Sequence, residues 1–409
     1  MVSLRLENCE NCFSLPPLGQ LPSLKELTIA MMPNITNVGH EFYGESGSVN
    51  KPFQSLQNLR FEKMSGWVDW CILDAGEFSR LQKLGIEECP QLVTSLPRTT
   101  SICELLLKEC QGVQLEWRNV SSVEKLEISG FASLKEFPSE FVTLTNLKEL
   151  SVEKCPRLSV PEMSNRNMFL ESLELVRCES LISLPLGLFP KLRDLSIVEC
   201  TNFETLLIPD GIELQNLTLL ETLTIEGCKK LKALLEQMHT LLPSLHSLDL
   251  HGCPEIESFP KGGLPSELGA LYIGNCKKLV GGQRDWGLQT LPSLTRFLLL
   301  GESEDVLESF PEEGLLPSTL TFLGFGDLPN LKSLNKRGLQ LLGSLERIVI
   351  FRCPQLQSLP EEGLPTSLIA LSFDDCPLLK PRCHREEGED WHKIPHIPFI
   401  TIDGEIISD

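Results

Sequence analysis

The 409-residue sequence lacks several features that usually mark a membrane protein or an enzyme. No stretch approaches the roughly 18 consecutive apolar residues of a membrane-spanning helix, and the opening Met-Val-Ser-Leu-Arg-Leu-Glu is not a signal peptide. The phosphate loop G-x-x-x-x-G-K-[ST] is also absent, which excludes that route to nucleotide binding. Aromatic residues make up only 6% of the chain, so we expect a core built from leucine and isoleucine rather than from rings.

Acidic side chains outnumber basic ones by 56 to 36, which gives a net charge of −20. A surface of this sign repels phosphate backbones and anionic membranes, so we predict neither a nucleic-acid nor a membrane partner. The simplest interpretation of the charge is a well-solvated surface.

The fifteen cysteines are arranged in a way that argues against a disulfide framework. Eleven of them recur at one position of a repeat, where each would be buried between neighbouring coils. Disulfides belong to oxidising compartments, whereas reduced thiols are usual inside the cell. We therefore predict a cytoplasmic protein whose repeat cysteines are free and buried.

The sequence repeats the pattern L-x-x-L-x-L-x-x-C, followed by x-x-L-x-x-L-P. A clear copy consists of Leu81, Leu84, Ile86 and Cys89. The second apolar position recurs at residues 4, 27, 59, 84, 105, 126, 150, 173, 195, 223, 248, 271, 297, 323, 348 and 371, and a degenerate seventeenth copy lies at 397–402. The mean period is about 25 residues, within the range of leucine-rich repeats.

The L-x-L segment places two apolar side chains on one face of a short strand. One such strand cannot bury its face alone, whereas parallel stacking of successive coils builds a shared core. We therefore predict a leucine-rich-repeat solenoid, a right-handed horseshoe whose concave face is a parallel sheet of about 16–17 short strands. Proline and glycine after each strand predict an irregular convex side with little helix.

The array is predicted to occupy residues 1–380 and to hold about 16 repeats. Met1 already stands at the first apolar position of a repeat, so we expect the N-terminal cap to be missing and the chain to be part of a longer protein. Residues 381–409 are predicted to form a C-terminal tail with a degenerate capping strand at 397–402. The wider spacing between the second and third copies predicts a surface excursion at 40–48, near which Trp67 and Trp70 fill an irregular coil.

Three groups of residues carry a resemblance to a known family. LPPLGQLPSLK at Leu15–Lys25 leads into VGHEFYG at Val38–Gly44, and PFQSL at Pro52–Leu56 precedes WVDW at Trp67–Trp70. The tail reads EDWHKIPHIP at Glu389–Pro398. Together these segments resemble the leucine-rich-repeat region of plant coiled-coil-type nucleotide-binding leucine-rich-repeat disease resistance proteins.

This resemblance implies an intracellular immune receptor whose repeats recognise a pathogen effector or a guarded host protein and restrain a neighbouring nucleotide switch. Because the chain has no phosphate loop, nucleotide binding cannot be transferred to it. The implied partners are therefore proteins: an effector, a host target, or the nucleotide-binding domain of the parent receptor. We expect no cofactor and no metal.

Other classes of protein use similar repeats. An F-box-type substrate adaptor for ubiquitination is the main alternative, although its repeats usually continue x-x-I-x-D-x-G-L after the cysteine, whereas this chain has Cys353–Pro360, CPQLQSLP. An enzyme is not predicted. Cys12, Cys71, Cys103 and Cys383 lie off the repeat position, but no histidine partner for any of them is evident in the sequence.

The residues that flank the two apolar positions of each strand should point out onto the concave sheet. In the first eleven repeats twelve of these thirty-three positions are acidic, five are basic and none is aromatic. The next four repeats are different, because they hold six apolar residues, two arginines and no acid. We call these eight residues the apolar–arginine patch: Tyr272, Arg296, Leu298, Leu300, Phe322, Arg347, Val349 and Phe351.

An apolar surface with arginines is the composition expected of a protein-binding hot spot. Gly274, Gly324 and Gly326 should leave a shallow floor between the larger side chains. Three interpretations stay open at this point: recognition of a partner, docking against another part of the parent protein, and a local error in the assumed register.

Overall fold

A computed structural model describes residues 1–44, 51–73, 76–98, 100–114, 121–137, 144–160, 169–208, 219–301, 307–385 and 387–407. The chain folds into two compact units, one largely within residues 1–192 and the other largely within 193–409.

The first unit is built on a sheet of parallel five-residue strands, each paired in register with the next. Its strands, among the described residues, are β1 (Ser3–Glu7), β2 (Glu26–Ala30), β3 (Asn37–Val38), β4 (Asn58–Glu62), β5 (Asp69–Trp70), β6 (Lys83–Glu87), β7 (Thr94–Ser95), β8 (Glu104–Lys108), β9 (Val113–Gln114), β10 (Lys125–Ser129), β11 (Glu149–Glu153), β12 (Ser172–Val176) and β13 (Ser183–Pro185). The sheet runs β1-β2-β4-β6-β8-β10-β11-β12. The two-residue strands pair on the opposite side of the coils, β3 with β5 and β7 with β9.

The second unit repeats this arrangement. Its described strands are β14 (Asp194–Val198), β15 (Thr205–Leu207), β16 (Thr222–Glu226), β17 (Ser247–His251), β18 (Ala270–Gly274), β19 (Arg296–Leu300), β20 (Ser309–Phe310), β21 (Phe322–Gly326), β22 (Ser333–Leu334), β23 (Arg347–Phe351), β24 (Ala370–Asp374), β25 (Phe399–Ile402) and β26 (Glu405–Ile406). The parallel sheet runs β14-β16-β17-β18-β19-β21-β23-β24-β25, and β26 turns back antiparallel to β25.

Little helix accompanies these strands in the described residues. The α-helices are single turns, α1 (Met238–Leu241), α2 (Lys277–Gly281) and α3 (Lys336–Gln340). Short 3₁₀ turns lie at Leu18–Gln20, His40–Phe42, Leu186–Leu188, Gln283–Asp285, Leu288–Thr290, Lys380–Cys383 and Trp391–Lys393. No helix in the described ranges has the length and apolar character to cross a membrane.

The second and fourth residues of each repeat strand point into the core. In β6, for example, Leu84 and Ile86 are 1% and 0% exposed, while Lys83 lies on the outward face. Burying each such side chain contributes about 1.5–3 kcal/mol. All seventeen positions marked from the sequence occupy the second place of a strand, which confirms the solenoid and its repeat assignment.

The repeat cysteines pack inside the coils, directly after the strands. All fifteen cysteines lie within the described residues and are free, and of the eleven at the repeat position all but the half-buried Cys9 are buried. The Cys110 thiol donates to the Lys108 carbonyl at 3.0 Å and lies 3.4 Å from the Ile86 carbonyl of the preceding coil. Cysteine is therefore small enough to fit between coils, and its thiol shares the Lys108 carbonyl with the Glu88 N–H, which donates to it at 2.8 Å.

Aromatic rings contribute more to the core than the composition suggested. Phe61, Trp67 and Trp70 form a continuous ring cluster in the first unit, and the Trp70 indole donates to the Tyr43 hydroxyl at 3.0 Å. Leucine supplies most of the buried core, as expected, but the expectation that rings would not contribute to it is wrong. The few aromatic residues are concentrated where a coil is irregular and needs large side chains to fill it, which confirms the role predicted for Trp67 and Trp70.

The predicted surface excursion at 40–48 is only partly described, because residues 45–48 lie outside the described ranges. Within it, Phe42 and Tyr43 are buried, with exposed fractions of 0% and 5%, and pack on Phe53. This part of the insertion is therefore core rather than an exposed loop.

One backbone feature was not predicted at all. The residue after most repeat strands adopts a left-handed conformation, with φ of 51° at Lys154 and 54° at Arg177, and glycine takes this place at Gly227 and Gly252. Its N–H donates to the end of the next strand, as Lys154 does to the Val176 carbonyl at 2.9 Å. At this residue the chain turns toward the cysteine, and the N–H of the same residue adds one hydrogen bond to the ladder between coils.

The tail segment that carries part of the family resemblance is held by a buried carboxylate. Asp390 is 1% exposed; it accepts hydrogen bonds from the Leu359 N–H at 2.9 Å, the Lys393 ammonium at 2.8 Å and the Arg382 guanidinium at 3.2 Å. Burial opposes ionisation of Asp390, but these donors outweigh it and lower its pKa below the ordinary value. β25 then continues the stack beside β24.

Candidate functional site

The apolar–arginine patch lies on four strands that are neighbours in one sheet, β18, β19, β21 and β23. The register aligns its residues in three rows. The first row is Ala270, Arg296, Phe322 and Arg347; the second is Tyr272, Leu298, Gly324 and Val349; the third is Gly274, Leu300, Gly326 and Phe351.

The structure places all eight patch residues on the outward face. Arg296 and Arg347 are exposed, and the six apolar side chains are half-buried against one another. The residues between them point inward, and Phe297 and Phe325 are fully buried. The register assumed from the sequence is therefore the register found, and the third interpretation, a local misregister, is removed.

Contacts between neighbouring strands organise the patch around Arg296. Its guanidinium carbon lies 4.9 Å from the centre of the Phe322 ring, and its Nε donates to the Tyr272 hydroxyl at 3.3 Å. A guanidinium over a ring is stabilised by about 0.5–1 kcal/mol at an exposed site. Arg296 thus joins three strands and holds both rings in defined orientations.

The glycine floor is not open, contrary to expectation. A β-carbon at Gly326 would lie 2.5 Å from the Phe351 ring, and one at Gly324 would lie 2.7 Å from Leu298 Cδ1. The larger side chains therefore lie flat on the glycine backbone. Glycine here makes the surface smooth and apolar rather than pitted.

The outward acids of the first unit are largely compensated by neighbouring bases. Glu62 pairs with Arg5 at 3.2 Å and with Arg60 at 3.5 Å. Glu127 lies 3.4 Å from both Lys108 and Lys125. Such exposed pairs contribute little to stability, but they neutralise this part of the concave face.

A pocket beside the patch was missed by the sequence reasoning. It has a volume of about 350 Å³ and is lined by Glu226, Asp249, His251, Tyr272, Ile273, Gly274, Leu298 and Leu300. Its residues come from β16 to β19, so it lies where the acidic outward positions meet the apolar ones. That boundary is visible in the sequence and could have drawn attention to the site.

The polar groups of this pocket are unevenly partnered. His251 Nδ1 lies 3.7 Å from the Glu226 carboxylate, and its Nε2 lies 3.3 Å from the Asn275 amide nitrogen. The half-buried Asp249 carboxylate has no hydrogen bond or ion pair with any described side chain, and His251 is the neighbouring charge that favours its ionised form. Burial raises the pKa of Asp249 above its ordinary value.

One cysteine outside the repeat position does have a histidine neighbour, which corrects the sequence-based expectation. Cys71 Sγ lies 3.4 Å from His40 Nε2. Burial, Asp69 and Glu41 all raise the Cys71 pKa, so the reactive thiolate is disfavoured. This is the opposite of the environment that activates a nucleophilic cysteine.

Two short spacings in the sequence are compatible with metal ligands, Cys9-x-x-Cys12 and His392-x-x-x-His396. Neither pair belongs to a larger cluster, since no group of three or more His, Cys, Asp or Glu side chains suited to a metal occurs in the described part of the chain.

Comparison with known proteins agrees with this fold. The family of R13L1/DRL21 leucine-rich repeats matches residues 1–32. A putative disease resistance protein of Arabidopsis thaliana is 27% identical, with 100% of this chain and 45% of that protein covered. The putative disease resistance RPP13-like protein 1 of the same plant is 31% identical, with coverage of 49% and 20%.

The chain is therefore similar to the leucine-rich-repeat regions of plant disease resistance proteins. The region spans less than half the length of the first of these relatives. Among solved structures, a leucine-rich-repeat protein of Leptospira interrogans aligns with a TM-score of 0.45 and 20% identity, covering 96% of this chain and 93% of that one. None of the relatives named here is an F-box protein, so the adaptor alternative gains no support.

Proposed function

We propose that this repeat region is the recognition module of a cytoplasmic plant immune receptor and that it binds a pathogen effector or a guarded host protein through the apolar–arginine patch. The observation that carries the proposal is the contrast along the sheet. Most outward acids of the first unit are paired with bases, whereas β18 to β23 expose rings, aliphatic side chains and arginines without an acid.

The chemistry of the patch suits a protein partner. Aromatic residues and arginine are the types most often found at energetic hot spots, and Arg296 presents both together with Phe322 and Tyr272 already in place. Side chains held before binding lose less entropy when a partner arrives. Disease resistance relatives support an immune role for such a surface.

The same surface could restrain a neighbouring nucleotide-binding domain of the parent receptor, as the resemblance implies. We place this second to recognition of a separate partner. This restraint would be supported if the interaction that requires the patch is the one with the nucleotide-binding domain of the parent receptor.

The test begins with a two-hybrid screen of the chain against pathogen effectors, host proteins and the parent receptor's nucleotide-binding domain. Each interaction found is then measured with the Phe322→Ala/Phe351→Ala variant. Each hot-spot ring contributes about 2 kcal/mol or more, so loss of both should weaken binding by roughly 700-fold if their contributions add.

The matched control is Glu127→Ala/Glu153→Ala, which removes outward side chains of the first unit that are already paired with lysines. We expect it to change mainly the association rate and the dependence on salt. If every interaction survives loss of both rings while the fold is intact, the patch is not the recognition surface.

A further inference from the structure

The pocket formed by Glu226, Asp249, His251 and Tyr272 differs from the rest of the outward face in one respect. Elsewhere the outward carboxylates mostly have a basic side chain or a hydroxyl within reach, as Glu127 has two lysines and Glu174 has the Ser151 hydroxyl at 2.7 Å. Asp249 is half-buried and has neither among the described residues. A partly buried carboxylate without a donor costs free energy that a cationic ligand would recover.

The walls of the pocket suit a long, amphipathic group. Leu298, Leu300 and the Tyr272 ring line one side, and the two carboxylates line the other. The volume of about 350 Å³ is at the small end of the range for ligand pockets and is sufficient for one side chain. Lysine and arginine have an apolar stem and a cationic end, so they match both surfaces.

Gly274 lets neighbouring side chains approach the backbone at the base of the pocket. A β-carbon at this position would lie 2.2 Å from His251 Cδ2 and 3.3 Å from Leu300 Cβ, so the His251 ring lies directly over the glycine. The imidazole is oriented by Glu226 at 3.7 Å and by Asn275 at 3.3 Å, so it forms the floor between the acidic and the apolar sides.

We propose that this pocket receives an arginine or lysine side chain of the protein that binds the apolar–arginine patch. Asp249 and Glu226 bind the cationic group, and Tyr272 and Leu298 pack against its stem. This inference rests on the proposed function, since it assigns a chemical feature to the partner: a basic residue next to the segment that contacts the rings.

The experiment uses N-acetyl-arginine amide and its uncharged citrulline counterpart as probes, at matched ionic strength. Binding is followed by NMR of the methyl groups of Leu298, Leu300 and Ile273. We expect saturable shifts with the arginine probe and affinity at least about tenfold weaker with citrulline, because a charge-assisted hydrogen bond is lost.

Asp249→Asn keeps the shape of the side chain and should weaken the arginine probe by about tenfold, with a smaller loss for Glu226→Gln. The matched control Glu127→Gln should leave affinity unchanged, because that carboxylate is outside the pocket and paired with lysines. Equal affinity for citrulline, no effect of Asp249→Asn, or the absence of saturable shifts would each overturn the proposal. The proposal would also be overturned if magnesium chloride shifted the same methyl resonances and displaced the arginine probe.

The experiments distinguish failure of the pocket proposal from failure of the function proposed for the patch. Phe322 and Phe351 do not line the pocket, so their double alanine variant should bind the arginine probe normally while losing the protein partner. A partner that needs both rings but is indifferent to Asp249→Asn would refute the pocket and leave the proposed function standing.

Discussion

Phe322 and Phe325 stand three residues apart on β21 and point to opposite faces, so they form a matched pair for testing the orientation of the patch. Phe325 is fully buried, and its ring packs edge-on against Phe310 with centroids 5.4 Å apart. We expect Phe325→Ala to lower the free energy of unfolding by about 3–5 kcal/mol, the usual cost of removing a core ring and leaving a cavity.

Phe322 should behave very differently. Its ring is half-buried and its defined contacts are with Arg296 above it and the Gly324 backbone beneath it. Truncation loses a cation–π contact of about 0.5–1 kcal/mol and leaves no internal cavity. The expected destabilisation by Phe322→Ala is therefore at most about 1 kcal/mol.

Urea denaturation followed by far-ultraviolet circular dichroism compares both variants with the unchanged chain. Equal slopes and a midpoint shift only for Phe325→Ala would support the assigned faces. If Phe322→Ala is as destabilising as Phe325→Ala, the ring belongs to the core, and the patch as described here does not exist.

Three further predictions concern the coils and the tail. Burial raises the pKa of Cys155 to about 11. In the native protein at neutral pH, a thiol reagent should therefore label the exposed Cys12 rapidly and Cys155 only after addition of denaturant. Rapid labelling of Cys155 in the native protein would contradict its burial. Lys154→Gly should be neutral or stabilising by up to about 1 kcal/mol, because glycine adopts the left-handed backbone without strain. Gly252→Val, at the equivalent turn, should destabilise the protein by about 1 kcal/mol or more. Thermal unfolding measures both effects. Asp390→Ala leaves the Lys393 ammonium, whose side chain is 9% exposed, without its carboxylate partner and should cost about 3–5 kcal/mol. Since the folded-state pKa of Asp390 is lowered, its contribution to stability is present above the unfolded-state pKa and is lost as pH falls through the folded-state value. A variant as acid-sensitive as the unchanged chain would argue against this assignment.

The sequence predicted the coils well because their signal is strong and repeated. An L-x-L segment has the period of a strand, and a one-residue shift would expose every leucine it carries. Leu84 and Ile86 are therefore placed correctly by alternation alone, and so are the outward Tyr272 and Phe322. The proline and glycine of the return segments likewise predicted little helix there.

Other features depended on contacts between distant residues. The ring cluster of Phe61, Trp67 and Trp70 and the approach of His40 to Cys71 join residues whose spacing follows no repeat. The left-handed turn was hidden because lysine, arginine and glutamate occupy it more often than glycine does. A charged residue just before a cysteine has no intrinsic preference from which a left-handed backbone could be predicted.

The sequence by itself therefore determined which residues form strands, which faces they present and where the charged surface gives way to an apolar one. Only the tertiary structure decided what each outward side chain contacts. The register aligns Glu226 with His251 and Asp249 with Tyr272, and so creates a pocket from residues about 25 positions apart. It also shows that most outward acids of the first unit, such as Glu127, are paired with bases, whereas Asp249 is not. The physical reason is that alternation along a strand is a local property, whereas partners across a sheet are set by the lengths of the loops that bring each coil back beside the last.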